Sequence, residues 1–243
     1  MISNMYKIST VENMRKSDAW TIANKVPSKE LMWRAGTGVY NSLKEWEDPV
    51  AIVCGCGNNA GDGYVIALKL QENNIPCDII LLKEKFSDDG KYYFDQCVEK
   101  KIPVICNPDY NKYKTLVDCM LGTGFKGDVR GDIADAIKAI NKAHAYVVSV
   151  DINSGLNGDT GESSLCVKSD LTVSIGGFKP GHFLGIADSV IKEKLNIDIG
   201  IEPLDKPFLL VSDEEYKHLS KEDFDNNIII KDVNEIKYAI TQA

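Results

Sequence analysis

The chain has 243 residues, and its 28 lysines and arginines against 36 aspartates and glutamates give a formal net charge of −8. This acidic balance argues against non-specific binding to nucleic acid, which requires a basic face. It does not exclude an anionic small ligand, because backbone N–H groups at a helix start can hold phosphate whatever the global charge.

The cysteine content and the apolar runs of the sequence indicate the cellular compartment of the protein. Seven cysteines are present, an odd number, and none forms a C-x-x-C pair, which is typical of buried reduced thiols in a cytosolic protein. The first ten residues contain no apolar signal segment. No apolar run approaches the ~18 residues of a membrane span. We therefore expect a cytoplasmic protein with no membrane partner.

Two helices are predicted before the first strand. Residues 9–23 begin with a cap at Ser9 or Thr10, and residues 28–46 carry apolar side chains at helical spacing. Val50–Cys54 is a short apolar run that ends in glycines, as in a buried parallel strand.

Strands and helices then alternate. Strands are predicted at 78–82, 103–106, 115–121, 146–151 and 171–175, helices at 61–73, 87–101 and 133–142, and β-like segments at 190–201 and 208–211. This alternation predicts a mostly parallel sheet covered on both faces. In such sheets the ligand lies outside the carboxyl ends of the strands.

The tail differs in composition from the rest of the chain. Residues 212–227 are strongly charged and are followed by the apolar run Ile228–Ile230. A helix plus an added strand, or a partly ordered extension, both fit this pattern. We therefore divide the chain into a domain over residues 1–211 and a charged C-terminal extension over residues 212–243.

The loop after the first strand, Gly55–Gly63, is rich in glycine. Its glycines permit a close backbone approach to a ligand, and the following helix start offers unpaired N–H groups. Asn58, Asn59 and Asp62 add polar side chains. The pattern G-x-G-x-x-A is weak alone, and a tight turn without a ligand is the alternative.

Two carboxylates close apolar strands at the same predicted edge. Asp118 and Asp151 facing one Gly-rich loop suggest acid–base work or cation ligation, with helix capping or solvation as the alternative. The oxygens of Asn59 and Ser154 could complete a site for a hard cation.

Further side chains belong to the same edge. Thr123 and the loop 122–128 could wrap a ligand. Lys179 could meet a phosphate or a developing negative charge, or could be an exposed surface lysine. His182 follows Lys179-Pro180-Gly181 and is a weaker ligand candidate.

Taken together, these motifs resemble a known family. The chain shows Asn58-Asn59-Ala60-Gly61-Asp62-Gly63, then an Asp118 followed by Gly122-Thr123-Gly124, then Asp151-Ile152-Asn153-Ser154-Gly155, then Lys179-Pro180-Gly181. In this order they resemble the NAD(P)H-hydrate epimerase family, also called the YjeF N-terminal domain, over residues 7–205.

The resemblance implies a Rossmann-like three-layer α/β/α sandwich, a homodimer and epimerisation at C6 of the nicotinamide ring of hydrated NADH and NADPH (NADHX and NADPHX). It also implies a potassium ion and coupling to a separate ADP- or ATP-dependent NAD(P)H-hydrate dehydratase. Asp151 is the implied catalytic residue, and Asn59, Asp118 and Ser154 are the implied potassium ligands. The implied substrate-binding residues are Asn58, Asn59, Ala60, Gly61, Asp62, Gly122, Thr123, Gly124, Phe125, Lys126, Gly127, Asp128, Asp151 and Lys179.

Three positions depart from the family pattern without removing an implied ligand. The family usually has glycine at Ala60, proline at Asn153 and glutamate at Trp33. Two other classes of function stay open: a non-catalytic nucleotide-binding or interaction module on the same fold, and an ordinary NAD-dependent oxidoreductase. The second is disfavoured because the strand that ends at Leu82 lacks a clear ribose-binding acid.

Overall fold

The structure, a computed structural model, describes residues 5–241, with side chains described up to residue 237. Within this range ten strands form two sheets. The strands are β1 (Tyr6–Ile8), β2 (Val50–Cys54), β3 (Cys77–Leu81), β4 (Val104–Ile105), β5 (Thr115–Cys119), β6 (Tyr146–Val150), β7 (Ser169–Ile175), β8 (Ile191–Ile197), β9 (Phe208–Leu210) and β10 (Ile228–Ile230).

The larger sheet has seven strands in the order β4-β3-β2-β5-β6-β7-β8, and every neighbouring pair is parallel. The chain winds outward in one direction through β2, β3 and β4, then returns to the other side of β2 and continues through β5. The winding therefore reverses between β2 and β5. Loops at such a reversal separate and leave a crevice at the carboxyl ends of the strands.

Helices cover both faces of this sheet. The described helices are α1 (Val11–Asn24), α2 (Ser28–Ser42), α3 (Asn58–Glu72), α4 (Asp88–Glu99), α5 (Gly131–Ile140), α6 (Ala187–Val190), α7 (Asp213–Tyr216), α8 (Lys221–Asn226) and α9 (Asn234–Thr241). The core on one face packs α2, α3 and α4 against the strands, and the core on the other face packs α5. This confirms the predicted three-layer α/β/α sandwich.

Two helix boundaries differ from the prediction in a way that affects the site. Helix α3 begins at Asn58, not at Gly61, so the second half of the predicted loop is the first turn of a helix. The glycines there weaken helix propensity, but burial of Ala60, Tyr64 and their neighbours against the sheet outweighs that cost. Helix α2 ends at Ser42 rather than 46.

The tail joins a small second sheet. Strand β9 pairs antiparallel with β1 and parallel with β10. Ile236 from α9 lies buried in the same cluster as Ile8, Phe178 and Phe208. The described part of the tail is therefore packed on the rest of the protein, and the domain boundary at residue 211 stays a prediction. Among the described residues, no helix is long and apolar enough to cross a membrane.

Candidate functional site

The residues that directly follow β2 and β5 are in contact at the strand ends, before the two loops diverge. A Cβ added at Gly55 would lie 2.1 Å from the Met120 carbonyl oxygen, so only glycine allows this approach. The buried Asn59 then donates from Nδ2 to the Leu121 carbonyl oxygen at 3.1 Å. The start of α3, with the unpaired N–H groups of its first turn, is thereby fixed at the crevice.

Asp118 lies at the centre of a buried hydrogen-bond network. Its carboxylate, fully buried, accepts hydrogen bonds from the Met120 N–H (3.2 Å), the Ser149 hydroxyl (3.0 Å) and both the N–H and the hydroxyl of Ser154. Burial raises the pKa of Asp118, and these four hydrogen bonds oppose that rise. The network joins the end of β5 to the loop after β6.

One oxygen beside this network is left without a partner. Asn59 Oδ1 is buried and accepts no hydrogen bond, whereas the Nδ2 of the same amide is bonded to Leu121. The Ser154 hydroxyl lies 3.3 Å from the same Leu121 carbonyl oxygen. An orphaned amide oxygen next to hydroxyl, carbonyl and carboxylate oxygens fits a hard cation. The described residues contain no cluster of three or more His, Cys, Asp or Glu that would suit a transition metal.

Asp151, directly after β6, has an unusual backbone. Its φ is +65°, and the N–H of Ile152 donates to the Val150 carbonyl oxygen two residues back at 2.8 Å. These features define a γ-turn with a positive φ at its centre, a rare and strained conformation. The Asp151 N–H donates to Val173 on β7 at 2.8 Å, which ties the turn to the sheet.

A buried lysine pairs with the Asp151 side chain. Lys179 is 1% exposed, and its ammonium donates to Asp151 Oδ1 and, at 2.9 Å, to the Ile175 carbonyl oxygen. The alternative of an exposed surface lysine is therefore wrong, because the side chain turns inward to meet a carboxylate. Burial alone would raise the pKa of Asp151, but the charge and the hydrogen bond of Lys179, together with smaller contributions from His182 and the Ile175 backbone, hold that pKa below its ordinary value.

Two further carboxyls share the field of this ion pair. Asp62, near the start of α3, is partly buried, and its pKa is raised well above the ordinary value by burial and by the negative charges of Asp151 and Asp18. Asp18 on α1 also has a raised pKa, through burial and then the charge of Asp151, with Lys179 opposing. The pKa shifts of these carboxyls therefore run in opposite directions, since that of Asp151 is lowered and those of Asp62 and Asp18 are raised.

The loop 122–128 forms the outer border of the site. A Cβ added at Gly122 would lie 3.5 Å from Asn59 Cβ and 3.7 Å from Asp151 Oδ2, which places the oxygen of Asp151 not bonded to Lys179 beside this loop. The loop then turns outward. Its exposed members are Gly124, Lys126, Gly127 and Asp128.

The structure therefore brings together Asn59, Asp118 and Ser154 in one group and Asp151, Lys179 and Gly122 beside it. Sequence reasoning missed Asp18, since a single aspartate on an early helix carries no recognisable signal. It treated His182 as a weak ligand candidate, whereas the structure buries that side chain completely. A cavity of about 580 Å³ lies elsewhere, at the amino ends of β6, β7 and β8, and none of the predicted site residues lines it.

The fold is that of a Rossmann-like α/β protein, and the polar side chains described above gather at the crevice between β2 and β5. The sequence profile of the family described as YjeF-related protein N-terminus matches residues 28–181, and the chain belongs to that family. This confirms the resemblance drawn from the motifs.

Relatives of known name agree with the assignment. The chain is 39% identical over 207 residues to the NAD(P)H-hydrate epimerase of Lentilactobacillus buchneri, covering 81% of this chain and 96% of the relative. It is 37% identical to that of Oenococcus oeni, covering 68% and 82%. It is 30% identical to the bifunctional NAD(P)H-hydrate repair enzyme Nnr of Coxiella burnetii, covering 77% of this chain but only 40% of that enzyme.

A solved structure shows the same fold. The crystal structure of yeast ynu0 superposes with a TM-score of 0.67 at 21% identity, covering 82% of this chain and 96% of the yeast chain. At that identity the similarity supports the architecture alone.

Proposed function

We propose that this protein is an NAD(P)H-hydrate epimerase that interconverts the R and S forms of hydrated NADH and NADPH at C6 of the nicotinamide ring. The observation that carries the proposal is the strained Asp151, whose ionised carboxylate reaches the crevice next to the start of α3. Two relatives that are matched over most of their length carry this name.

The start of α3 and the border loop would hold the substrate. The N–H groups of Asn58 and Asn59 lie at the positive end of the α3 dipole, where a pyrophosphate binds favourably. Loop 122–128 would cover the ligand from the opposite side. Lys179 would act through Asp151, since its ammonium is buried against that carboxylate.

Asp62, whose pKa is raised, and Asp151, whose pKa is lowered, would divide the proton transfers between them. Asp62 donates its proton to the C6 hydroxyl, the C6–O bond breaks, water leaves, and the lone pair of the ring nitrogen forms a C6=N double bond. A water molecule adds to the other face of C6 and gives its proton to Asp151. Transfer of that proton back to Asp62 through solvent restores the starting state.

The activity is tested with a mixture of hydrate epimers and a separate S-specific dehydratase as the reporter. The dehydratase alone consumes the S epimer and stops. We expect added protein to bring the R epimer into the reaction, so that consumption continues to completion. If R-epimer consumption is not accelerated, the proposed function is wrong.

We propose that the cation bound by Asn59, Asp118 and Ser154 is potassium. The cation would neutralise part of the charge of Asp118 and fix Asn59 at the start of α3. We expect KCl to raise the melting temperature relative to tetramethylammonium chloride, because an ion that binds only the native state stabilises it by about 2.7 kcal/mol at one hundred times its Kd.

Asn59→Ala removes the orphaned oxygen and should abolish this potassium-dependent shift. Asn73→Ala is the matched control, since Asn73 caps the exposed end of α3 and bonds to Lys69; it should keep the shift. An unchanged potassium response in Asn59→Ala would rule out this site.

We further propose a cytoplasmic homodimer that works with a separate ADP- or ATP-dependent dehydratase. The relatives named bifunctional NAD(P)H-hydrate repair enzymes support this coupling. Their name assigns two repair functions to one chain, and this protein matches only part of that chain. Light scattering coupled to size exclusion would measure the dimer directly, and a monomer mass would contradict it.

A further inference from the structure

His182 lies behind the site and touches three backbone groups. Its side chain is fully buried, with Nδ1 3.0 Å from the Lys179 backbone nitrogen and 3.2 Å from the Lys179 carbonyl oxygen, and with Nε2 2.8 Å from the Asp151 carbonyl oxygen. The Phe178 ring packs edge-on against the imidazole, with centroids 5.5 Å apart. The imidazole therefore bridges the segment that carries the lysine of the ion pair and the turn that carries its aspartate.

The contact of Nε2 selects the tautomer. The Asp151 carbonyl can only accept, so Nε2 must carry the hydrogen and donate. Burial, followed by the Lys179 charge, lowers the pKa of His182 to about 4, so at neutral pH the ring is neutral and has a single N–H. Nδ1 then carries no hydrogen and accepts from the Lys179 N–H, the nearer of its two backbone neighbours.

The hydrogen bond to Asp151 acts on the strained residue itself. A positive φ at a non-glycine residue persists only where surrounding contacts hold it. Three neighbouring groups hold Asp151: Val173 accepts from its N–H, Lys179 binds its side chain, and His182 binds its carbonyl oxygen. Of these three groups, only His182 restrains the carbonyl of Asp151. The direction of that carbonyl is set by the ψ angle of Asp151, the backbone rotation about its Cα–C bond.

We propose that His182 is a positioning residue that locks the γ-turn at Asp151 and thereby aims Oδ2 of its carboxylate into the crevice. This positioning role requires a hydrogen-bond donor at the position of Nε2. The effect of His182 on turnover rests on the proposed function, but its effect on the backbone of Asp151 can be measured without any activity.

Two substitutions separate the two contacts of the ring. His182→Gln can place its Nε2 donor where the imidazole has one and so keep the bond to Asp151. His182→Asn can place its oxygen where Nδ1 lies and so keep the bond from Lys179, but it loses the donor to Asp151. Each variant loses one buried hydrogen bond, so we expect similar losses of thermal stability in both.

Their kinetics should differ. We expect His182→Asn to lower kcat by about tenfold to a hundredfold with little change in KM, because a misplacement of about 1 Å at a reacting group costs up to ~10²-fold. His182→Gln keeps the donor to Asp151, so we expect a clearly smaller loss of kcat than in His182→Asn. Equal kcat losses in the two variants would overturn the proposal.

The wild-type protein provides a test that does not depend on a variant folding. Long-range ¹H–¹⁵N NMR of the imidazoles should show His182 as the neutral tautomer with hydrogen on Nε2. Hydrogen on Nδ1, or a charged ring at neutral pH, would overturn the proposal. Crystal structures of the variants should show a positive φ at Asp151 in His182→Gln and its loss in His182→Asn; a γ-turn that survives in both would also overturn it.

These readouts separate two kinds of failure. If the wild type does not epimerise the hydrate, the proposed function is wrong. The tautomer and the Asp151 backbone still decide whether His182 holds the turn.

Discussion

Asp151→Asn is expected to lower kcat for epimerisation by about 10²–10⁴-fold, the contribution of one positioned acid–base group. Asparagine is nearly isosteric and tolerates positive φ better than most residues, so the γ-turn should survive. Its amide cannot take the proton from the attacking water. The assay follows purified R-hydrate with wild type and variant, and equal rates would eliminate Asp151 as the acid–base group.

Asp135→Asn is the matched control for this substitution. Asp135 lies on α5, its side chain is 76% exposed, and its ion partner is the neighbouring Lys138. We expect wild-type turnover from it. A comparable loss in the control would show that the assay responds to something other than the site.

Asp62→Asn tests the other half of the proton transfer and should lower kcat by about 10²-fold or more.

The pH profile provides a further check. Protonation of Asp151 removes activity at low pH and loss of the Asp62 proton removes it at high pH, so kcat/KM should be bell-shaped. Asp62→Asn should lack the high-pH limb, and a limb that remains would assign that ionisation to another group.

Lys179→Met is expected to destabilise the protein by about 3–5 kcal/mol, since it leaves a buried carboxylate without its counter-charge. Lys192→Met is the control. Lys192 also pairs with an aspartate, Asp170, but its side chain is 76% exposed, so removing it should cost no more than about 1 kcal/mol. Urea unfolding of the two variants measures both values, and equal losses would contradict the buried-pair interpretation.

The deficit in Lys179→Met should depend on pH. In the wild type the pKa of Asp151 is lowered on folding, so the stability it contributes is present above its unfolded pKa and is lost as the pH falls through the folded pKa. Without Lys179, burial raises that pKa instead. The difference between variant and wild type should therefore be large at neutral pH and shrink below about pH 4, and a deficit that grows on acidification would contradict this assignment.

The sequence predicts the large sheet well because each of its central strands is a short apolar run bounded by glycine or polar residues. Val50–Cys54 is buried at all five positions, and such a run is readable without knowing its neighbours. Strand β1 has only three residues, too few for a period, and depends on pairing with β9 about 200 residues later. The start of helix α3 is predicted too late because glycine and asparagine have low intrinsic helix propensity, whereas packing against the sheet determines where this helix begins.

The site was predictable where it depends on topology. Parallel strands bring their carboxyl ends to one edge, so the placement of Asp118 and Asp151 near Asn59 followed from the order of elements. The burial of Lys179 and the role of His182 did not. Both depend on side chains turning inward to a strained turn some 30 residues earlier, and no spacing in the sequence encodes that direction.

The small sheet has a consequence for how the protein is made. The Phe178 N–H donates to the Lys7 carbonyl oxygen, the Ser9 N–H donates to that of Phe178, and the Phe178 ring packs with Ile8 and Phe208. The segment that carries Lys179 and His182 is thus anchored to β1, and β1 is paired with β9, which leaves the ribosome some 200 residues later. The large sheet can assemble as its strands emerge, but the two residues behind Asp151 gain their full support only after β9 has been synthesised. The support of these two residues is therefore completed later than the synthesis of every strand of the large sheet.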